Sequence, residues 1–215
     1  NLYLGILIKY PKNSLPSSKV YNDDVNLKIS KNYSNTAFIG AGNYSKRDLI
    51  PAFIKAGAKI LGICSIDGLN ATHAGKKFKI PYFSTDANQI INDKNVKNLV
   101  IATQHNSHFD LVCKGFKAKK NIFVEKPICL NLKELEKLKT LFSRKSENFV
   151  TVGFNRRHSP FIQTIKKLLY KEKYPKFITI TVNAGHIDPL HWIQDKEIGG
   201  GRIIGEAIHF IDLIR

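Results

Sequence analysis

Three side chains that can hold or move a proton stand close together near the C-terminal end of this chain. Glu206, His209 and Asp212 are spaced three apart in the stretch GGGRIIGEAIHFID, residues 199–212. On a helix that spacing puts all three on one face. Ile203, Ile204, Ile208 and Ile211 supply the apolar side that would anchor such a helix. An imidazole titrates near neutral pH and neighbouring carboxylates tune it, so the set suits general acid–base chemistry. A core helix with a capped histidine has the same pattern. The three glycines that open the stretch let the backbone approach another group closely.

A second constellation lies near the start of the regular part of the chain. Gly40-Ala41-Gly42, followed by Ser45, comes after the apolar run Ala37-Phe38-Ile39 and before a helical pattern. In a strand–turn–helix unit, the first glycine permits a tight turn and the second lets a pyrophosphate approach the backbone. A small residue at the third position allows the helix to pack on the strand. The helix N-terminus adds a dipole that favours phosphate. About 20 residues further on, a carboxylate commonly receives the ribose hydroxyls. Here that region reads Ile63-Cys64-Ser65-Ile66-Asp67. With Ser65 at the selector position a 2′-phosphate is tolerated, although no arginine follows; Asp67 is the other candidate for the ribose. NAD and NADP both remain open.

These groups need elements to position them. Strands are predicted over 1–9, 37–39, 59–65, 82–83, 96–102, 121–124 and 148–154. Helices are predicted over 47–56, with Pro51 near its first turn, and over 71–78, 87–92, 108–117 and 132–145. In the last of these Leu132, Leu135, Leu138 and Leu141 share one face. Strands alternating with helices through short connections define an α/β protein with a parallel sheet covered by helices. Residues 10–34, with Pro11, Pro16 and many polar side chains, read as a linker. Past Arg156 the character changes: a helix over 160–170, an alternating strand over 176–183, a loop over 184–198, then the closing helix.

Composition narrows the function classes. The net charge of +17 invites a nucleic-acid reading. However, the cations are mostly lysines scattered along helix faces, and Arg47, Arg144, Arg156, Arg157, Arg202 and Arg215 are the only arginines. No arginine stripe interleaved with aromatics forms, so no nucleic-acid partner is expected. No apolar run is long enough to span a membrane and no secretory signal pattern is present. The three cysteines, Cys64, Cys113 and Cys129, have no paired spacing. They are expected to be reduced thiols in a cytoplasmic setting. His105 with His108, and His186 with His191, lack the companions of a zinc motif, so no metal is expected. The chain contains no methionine. It therefore reads as an internal stretch of a longer protein.

Several segments together resemble the Gfo/Idh/MocA family, that of glucose–fructose oxidoreductase and inositol dehydrogenase. They are FIGAGNYS (38–45), VIATQHNSH (100–108), VEKP (124–127), VGFNRR (152–157) and the glycine-rich segment 199–212, in family order. The resemblance implies a Rossmann-type doubly wound domain over 35–155. It also implies the beginning of an α/β open-sheet substrate domain over 156–215. The implied activity is hydride transfer between a nicotinamide, of NAD or NADP, and a hydroxyl or carbonyl carbon of a sugar-like substrate. Lys126 matches the family's lysine, placed to contact the substrate hydroxyl, and His209 its catalytic histidine. The family often carries an aspartate four residues before that histidine, where this chain has Gly205; Glu206 is then the expected orienting partner, with Asp212 as another candidate. The implied cofactor-binding residues are Gly40, Gly42, Asn43, Tyr44, Ser65, Thr103, His108, Glu125 and Lys126. Arg156, Arg157, His191 and Trp192 are the expected substrate contacts. The departure at Gly205 keeps a second reading open, a non-catalytic dinucleotide-binding module. A narrower resemblance concerns residues 1–11, NLYLGILIKYP, which look like the tail of a zinc-type alcohol dehydrogenase module. Residues 1–34 are then an upstream remnant and linker, and any zinc belongs upstream. The 215 residues alone are not expected to turn over substrate, and a homo-oligomer is compatible with the family.

Overall fold

The computed structural model describes residues 17–23, 25, 34–143, 145–171 and 173–215. The strand predicted over 1–9 lies outside them. Seven strands form one sheet: β1 (Lys19–Tyr21), β2 (Asn35–Ile39), β3 (Lys59–Cys64), β4 (Tyr82–Ser84), β5 (Asn98–Ile101), β6 (Asn121–Val124) and β7 (Val150–Val152). Their order is β1-β4-β3-β2-β5-β6-β7, with every pair parallel except β1 against β4. The chain runs outward from β2 to β4, returns, and runs outward again through β5 to β7. Such a reversal leaves a crevice beyond the C-terminal ends of β2 and β5, where doubly wound folds hold ligands.

Helices cover both faces. They are α1 (Ile50–Lys55), α2 (Gly68–Lys77), α3 (Ala87–Ile91), α4 (His108–Lys117) and α5 (Leu132–Phe142). Because side chains alternate along a strand, β2 serves two cores. Phe38 packs with Ile50, Ile63, Ala71 and Ala74, whereas Ala37 and Ile39 pack with Leu61, Ile90, Val96 and Leu99. A third cluster, Ile101, Val112, Phe116, Ile122, Val124 and Leu138, seats α4 and α5. Leu138 is buried at the centre of the α5 face, but Leu132, at the helix's first position, is exposed.

Three expectations change. The linker contains β1, which pairs Lys19 to Tyr21 with Ser84 to Tyr82. Asn22 then anchors the segment, its side-chain amide donating to the Ile80 carbonyl at 3.3 Å. Second, the helical segment starts earlier than expected, at 43, and widens over Ser45–Leu49 just ahead of α1, where Pro51 does sit in the first turn. There the Ile50 N–H bonds the Ser45 carbonyl, five residues back. A proline inside a regular helix clashes with the carbonyl four residues before it; the wide turn just ahead of Pro51 displaces that carbonyl. Third, residues 176–183 form no strand and are exposed. Alternation alone does not make a strand; a ladder partner is required, and among the described residues none pairs with this segment.

Past the sheet come α6 (Pro160–Tyr170) and α7 (Ile208–Leu213), the latter preceded by another wide turn over Ile203–Ala207. The glycine-rich segment does start a helix. Gly200 and Gly201 take φ of +78° and +75°, and a β-carbon on Gly199 would lie 2.5 Å from the Ile193 backbone. No described helix is long and apolar enough to cross a membrane. Cys64, Cys113 and Cys129 are free thiols; burial pushes Cys64 up to about 12.

Candidate active site

The glycine turn lies at the C-terminal end of β2. Gly40 adopts φ +111°, its N–H bonds the Cys64 carbonyl at 2.8 Å, and a β-carbon there would stand 2.2 Å from the Ala102 carbonyl oxygen. This position therefore requires glycine on two counts. At Gly42 a β-carbon would meet nothing within 4 Å, so the turn faces open space. Ser45 is buried to 1 % exposure, and its hydroxyl has no hydrogen-bond partner. The turn thus has the form a dinucleotide pyrophosphate needs: a tight first glycine, an open second one, and a small third residue packed beneath the helix. Asn43 and Tyr44 are exposed just beyond it.

Across the crevice, β6 is followed by Glu125 and Lys126, and a cis peptide joins Lys126 to Pro127. Glu125 is 9 % exposed, and its Oε1 has no hydrogen-bond partner. Burial raises its carboxyl to about 7, against the opposing pull of Lys126. Tyr44 faces the same carboxyl; burial and Glu125 raise its phenol, and Asn155 donates to its oxygen at 3.1 Å. Lys126 Nζ donates to the Gly205 carbonyl, 79 residues away, at 2.5 Å. Burial lowers the lysine's pKa, while Glu125 and Glu206 oppose the shift.

His209 stands beside that contact. Its ring meets Phe154 edge-on at 6.2 Å, and its buried Nδ1 has no hydrogen-bond partner. Burial first, then the Lys126 and Arg156 cations, lower it to about 4, so the ring is neutral at pH 7. The structure does not join the flanking carboxylates to it. Glu206 is held by Arg202, 2.7 Å from Nε, and Asp212 by Arg157, whose Nε lies 2.9 Å from Oδ2. Glu206 therefore does not orient the imidazole; the guanidinium one turn back captures its carboxylate. The i,i+4 spacing of Arg202 and Glu206 is the signal that would have found this pair. Arg156 lies over the Phe210 ring at 4.7 Å, so both arginines expected at the substrate are drawn against α7.

The loop before the glycines docks on the turn after β5. Asn106 N–H bonds the Ile198 carbonyl at 3.0 Å, and His105 Nδ1 donates to the Gly199 carbonyl at 2.8 Å. Trp192 meets the His105 ring edge-on at 4.8 Å and lies 5.7 Å from His191. His105, expected only as half of a histidine pair, joins the Asn106 N–H in tying this loop down. Thr103 shares a hydrogen bond with Ser107 at 2.6 Å. His108 is fully buried, its Nδ1 2.7 Å from the Pro127 carbonyl and its Nε2 3.1 Å from the Thr103 carbonyl. It braces the crevice from behind. Among the described residues no group of three metal-ligating side chains converges.

The fold and the crevice define a Rossmann-type, dinucleotide-binding α/β protein. The Gfo/Idh/MocA model, described as an oxidoreductase family with an NAD-binding Rossmann fold, matches residues 34–154, more than half of the chain. The chain belongs to this oxidoreductase family. It is 30% identical over 132 residues to myo-inositol 2-dehydrogenase of Thermotoga maritima, a match spanning 60% of this chain and 38% of that protein. It is 27% identical over 154 residues to levoglucosan dehydrogenase of Pseudarthrobacter phenanthrenivorans, spanning 67% and 39%. Among solved structures, a levoglucosan dehydrogenase in complex with NADH and levoglucosan superposes with a TM-score of 0.72 at 24% identity. That match covers 84% of this chain and 53% of the other, and shows the fold. The chain spans about two-fifths of the length of the two curated relatives.

Proposed function

We propose that this protein is an NAD(P)-dependent dehydrogenase that moves a hydride between the nicotinamide and a carbinol or carbonyl carbon of a sugar-like substrate. In this reading residues 35–155 bind the dinucleotide and 156–215 begin the substrate domain. The observation that carries it is the Lys126 bond to the Gly205 carbonyl, which sets the cation close enough to the neutral His209 to lower the ring's pKa. Relatives named for myo-inositol and levoglucosan support a polyhydroxylated substrate.

The crevice fits the cofactor: Gly42 leaves room for phosphate, and the partnerless Glu125 Oε1 needs a polar partner in a buried place. When bound, the nicotinamide supplies the carbon that takes up or returns the hydride. Lys126 donates a hydrogen bond to the substrate oxygen and stabilises negative charge developing there. His209, neutral and lacking a carboxylate partner, takes the hydroxyl proton in oxidation and returns it in reduction. Gly205 stands where the family pattern often carries an aspartate, and its backbone carbonyl holds the lysine instead. The resemblance of residues 1–11 extends the proposal to a protein with an upstream zinc-type alcohol dehydrogenase module.

Near-ultraviolet absorbance tests this reading. The full-length protein with NAD⁺ or NADP⁺ should produce reduced dinucleotide on addition of a polyol or sugar from a panel including myo-inositol and levoglucosan. No reduction by any member would sink it. A dinucleotide that binds tightly and is never reduced would select the second reading, a non-catalytic module, which the departure at Gly205 permits.

A further inference from the structure

We propose that the cavity between β1 and α3 is a ligand site distinct from the crevice, and that it takes a small hydroxylated carboxylic acid, a sugar acid, with the carboxylate on Lys19. The cavity encloses about 490 Å³, within the range of small-molecule sites. The sheet contributes Lys19, Tyr21 and Tyr82 to its lining, and the connection from α3 to β5 contributes Asn92, Asp93 and Asn95. That connection enters β5 at its N-terminal end, whereas the crevice opens beyond the C-terminal ends of the strands. No residue of the crevice lines the cavity.

Lys19 is held inward. Its Nζ lies 3.9 Å from the centre of the Tyr82 ring and 5.1 Å from that of Tyr21, and the two rings meet at 57°. A surface lysine ordinarily carries its head into water. This one rests on two aromatic faces, which attract the cation without using its protons. Among the described residues no carboxylate pairs with it and no oxygen accepts from its Nζ. Three N–H donors therefore remain for an anion.

Asp93 lines the same cavity but does not neutralise the lysine. Its Oδ2 accepts from the Tyr82 hydroxyl at 2.8 Å and its Oδ1 from the Asn95 N–H at 2.9 Å. Its charge selects among anions. A carboxylate carries one negative charge for Lys19 to balance, whereas a phosphate monoester carries nearly two and is repelled by Asp93. The wall that bears these groups is fixed from behind. Buried Lys120 donates to the Asp93 and Val96 carbonyls, each at 2.7 Å, and the Asn35 amide donates to the Asn95 carbonyl at 3.0 Å. On that wall the side-chain amides of Asn92 and Asn95 have no partner among the described residues, and each can donate to and accept from hydroxyls. Tyr21, 58 % exposed, offers an open aromatic face to the C–H side of a sugar ring.

Calorimetric titration of the full-length protein should show glucuronate binding with a Kd of about 1 mM or tighter. Neutral glucose and dianionic glucose 6-phosphate should bind about 10-fold or more weakly, the worth of a hydrogen bond to a charged group. Lys19→Ala should weaken glucuronate by the same factor, and Asn92→Ala by about threefold. Lys126→Ala should leave glucuronate affinity within about twofold, which separates this cavity from the crevice. Thermal melts followed by circular dichroism check the fold of each variant. Asn92 is exposed, so its variant decides if Lys19→Ala melts early. Glucuronate binding that survives substitution of the cavity residues, or is lost with Lys126→Ala, would overturn the site, as would no binding at all. Glucose 6-phosphate binding as tightly as glucuronate would overturn the assignment of a carboxylate.

Discussion

Replacing His209 by alanine in the full-length protein is expected to lower turnover by about 10²–10⁴-fold, the usual worth of a positioned general acid–base. Lys126→Ala is expected to fall in the same range, because in the proposed mechanism that cation stabilises the developing alkoxide. Their pH profiles should differ. In the free protein burial, Lys126 and Arg156 hold the His209 imidazolium down to about 4. The neutral, proton-accepting ring therefore persists well below the ordinary histidine range, and oxidation should lose rate only as pH falls toward that value. Removing the Lys126 charge takes away one of the two cations that disfavour the imidazolium. The acid limb of Lys126→Ala should accordingly move to higher pH. A purely structural role for Lys126 predicts lower activity with the limb unmoved, and steady-state rates from pH 4 to 8 distinguish the two.

Gly40→Ala is expected to destabilise the protein by about 3 kcal/mol or more, as strain in a left-handed backbone adds to a steric collision. The added β-carbon would lie 2.2 Å from the Ala102 carbonyl oxygen, on the central pair of strands, where little can give way. Gly42→Ala makes the contrast, since its β-carbon would meet nothing within 4 Å. That variant should melt within a few degrees of wild type yet bind dinucleotide about 10-fold or more weakly, because the methyl enters the space of the pyrophosphate. Urea unfolding checks the first variant and a dinucleotide titration the second. Equal stability of the two variants would contradict the assigned roles.

The parallel sheet was legible because its central strands are short apolar runs separated by helical periodicity, from Ala37-Phe38-Ile39 to Asn121–Val124. The turn at Gly40 was legible because glycine there answers a local backbone demand. What escaped depends on partners distant in sequence. Lys19–Tyr21 has no strand signal of its own and is held by β4. The alternation of 176–183 does signal a strand, but no described neighbour completes it. The even spacing of Glu206, His209 and Asp212 suggested one shared network. Arg202 and Arg157 instead divide it, because each carboxylate finds a guanidinium nearer than the imidazole. The wide turn over Ile203–Ala207, and with it the Lys126 bond to the Gly205 carbonyl, leaves no trace in a pattern read with a period of 3.6 residues.

The most direct test of the account is the fate of the hydrogen on the carbinol carbon. Given a polyol substrate deuterated at that carbon, the full-length protein should deliver the label to C4 of the nicotinamide, seen by mass spectrometry of the reduced dinucleotide. Lys126→Ala and His209→Ala should slow its arrival without diverting it. Reduced dinucleotide that carries no label, or label lost to water, would contradict hydride transfer in this crevice.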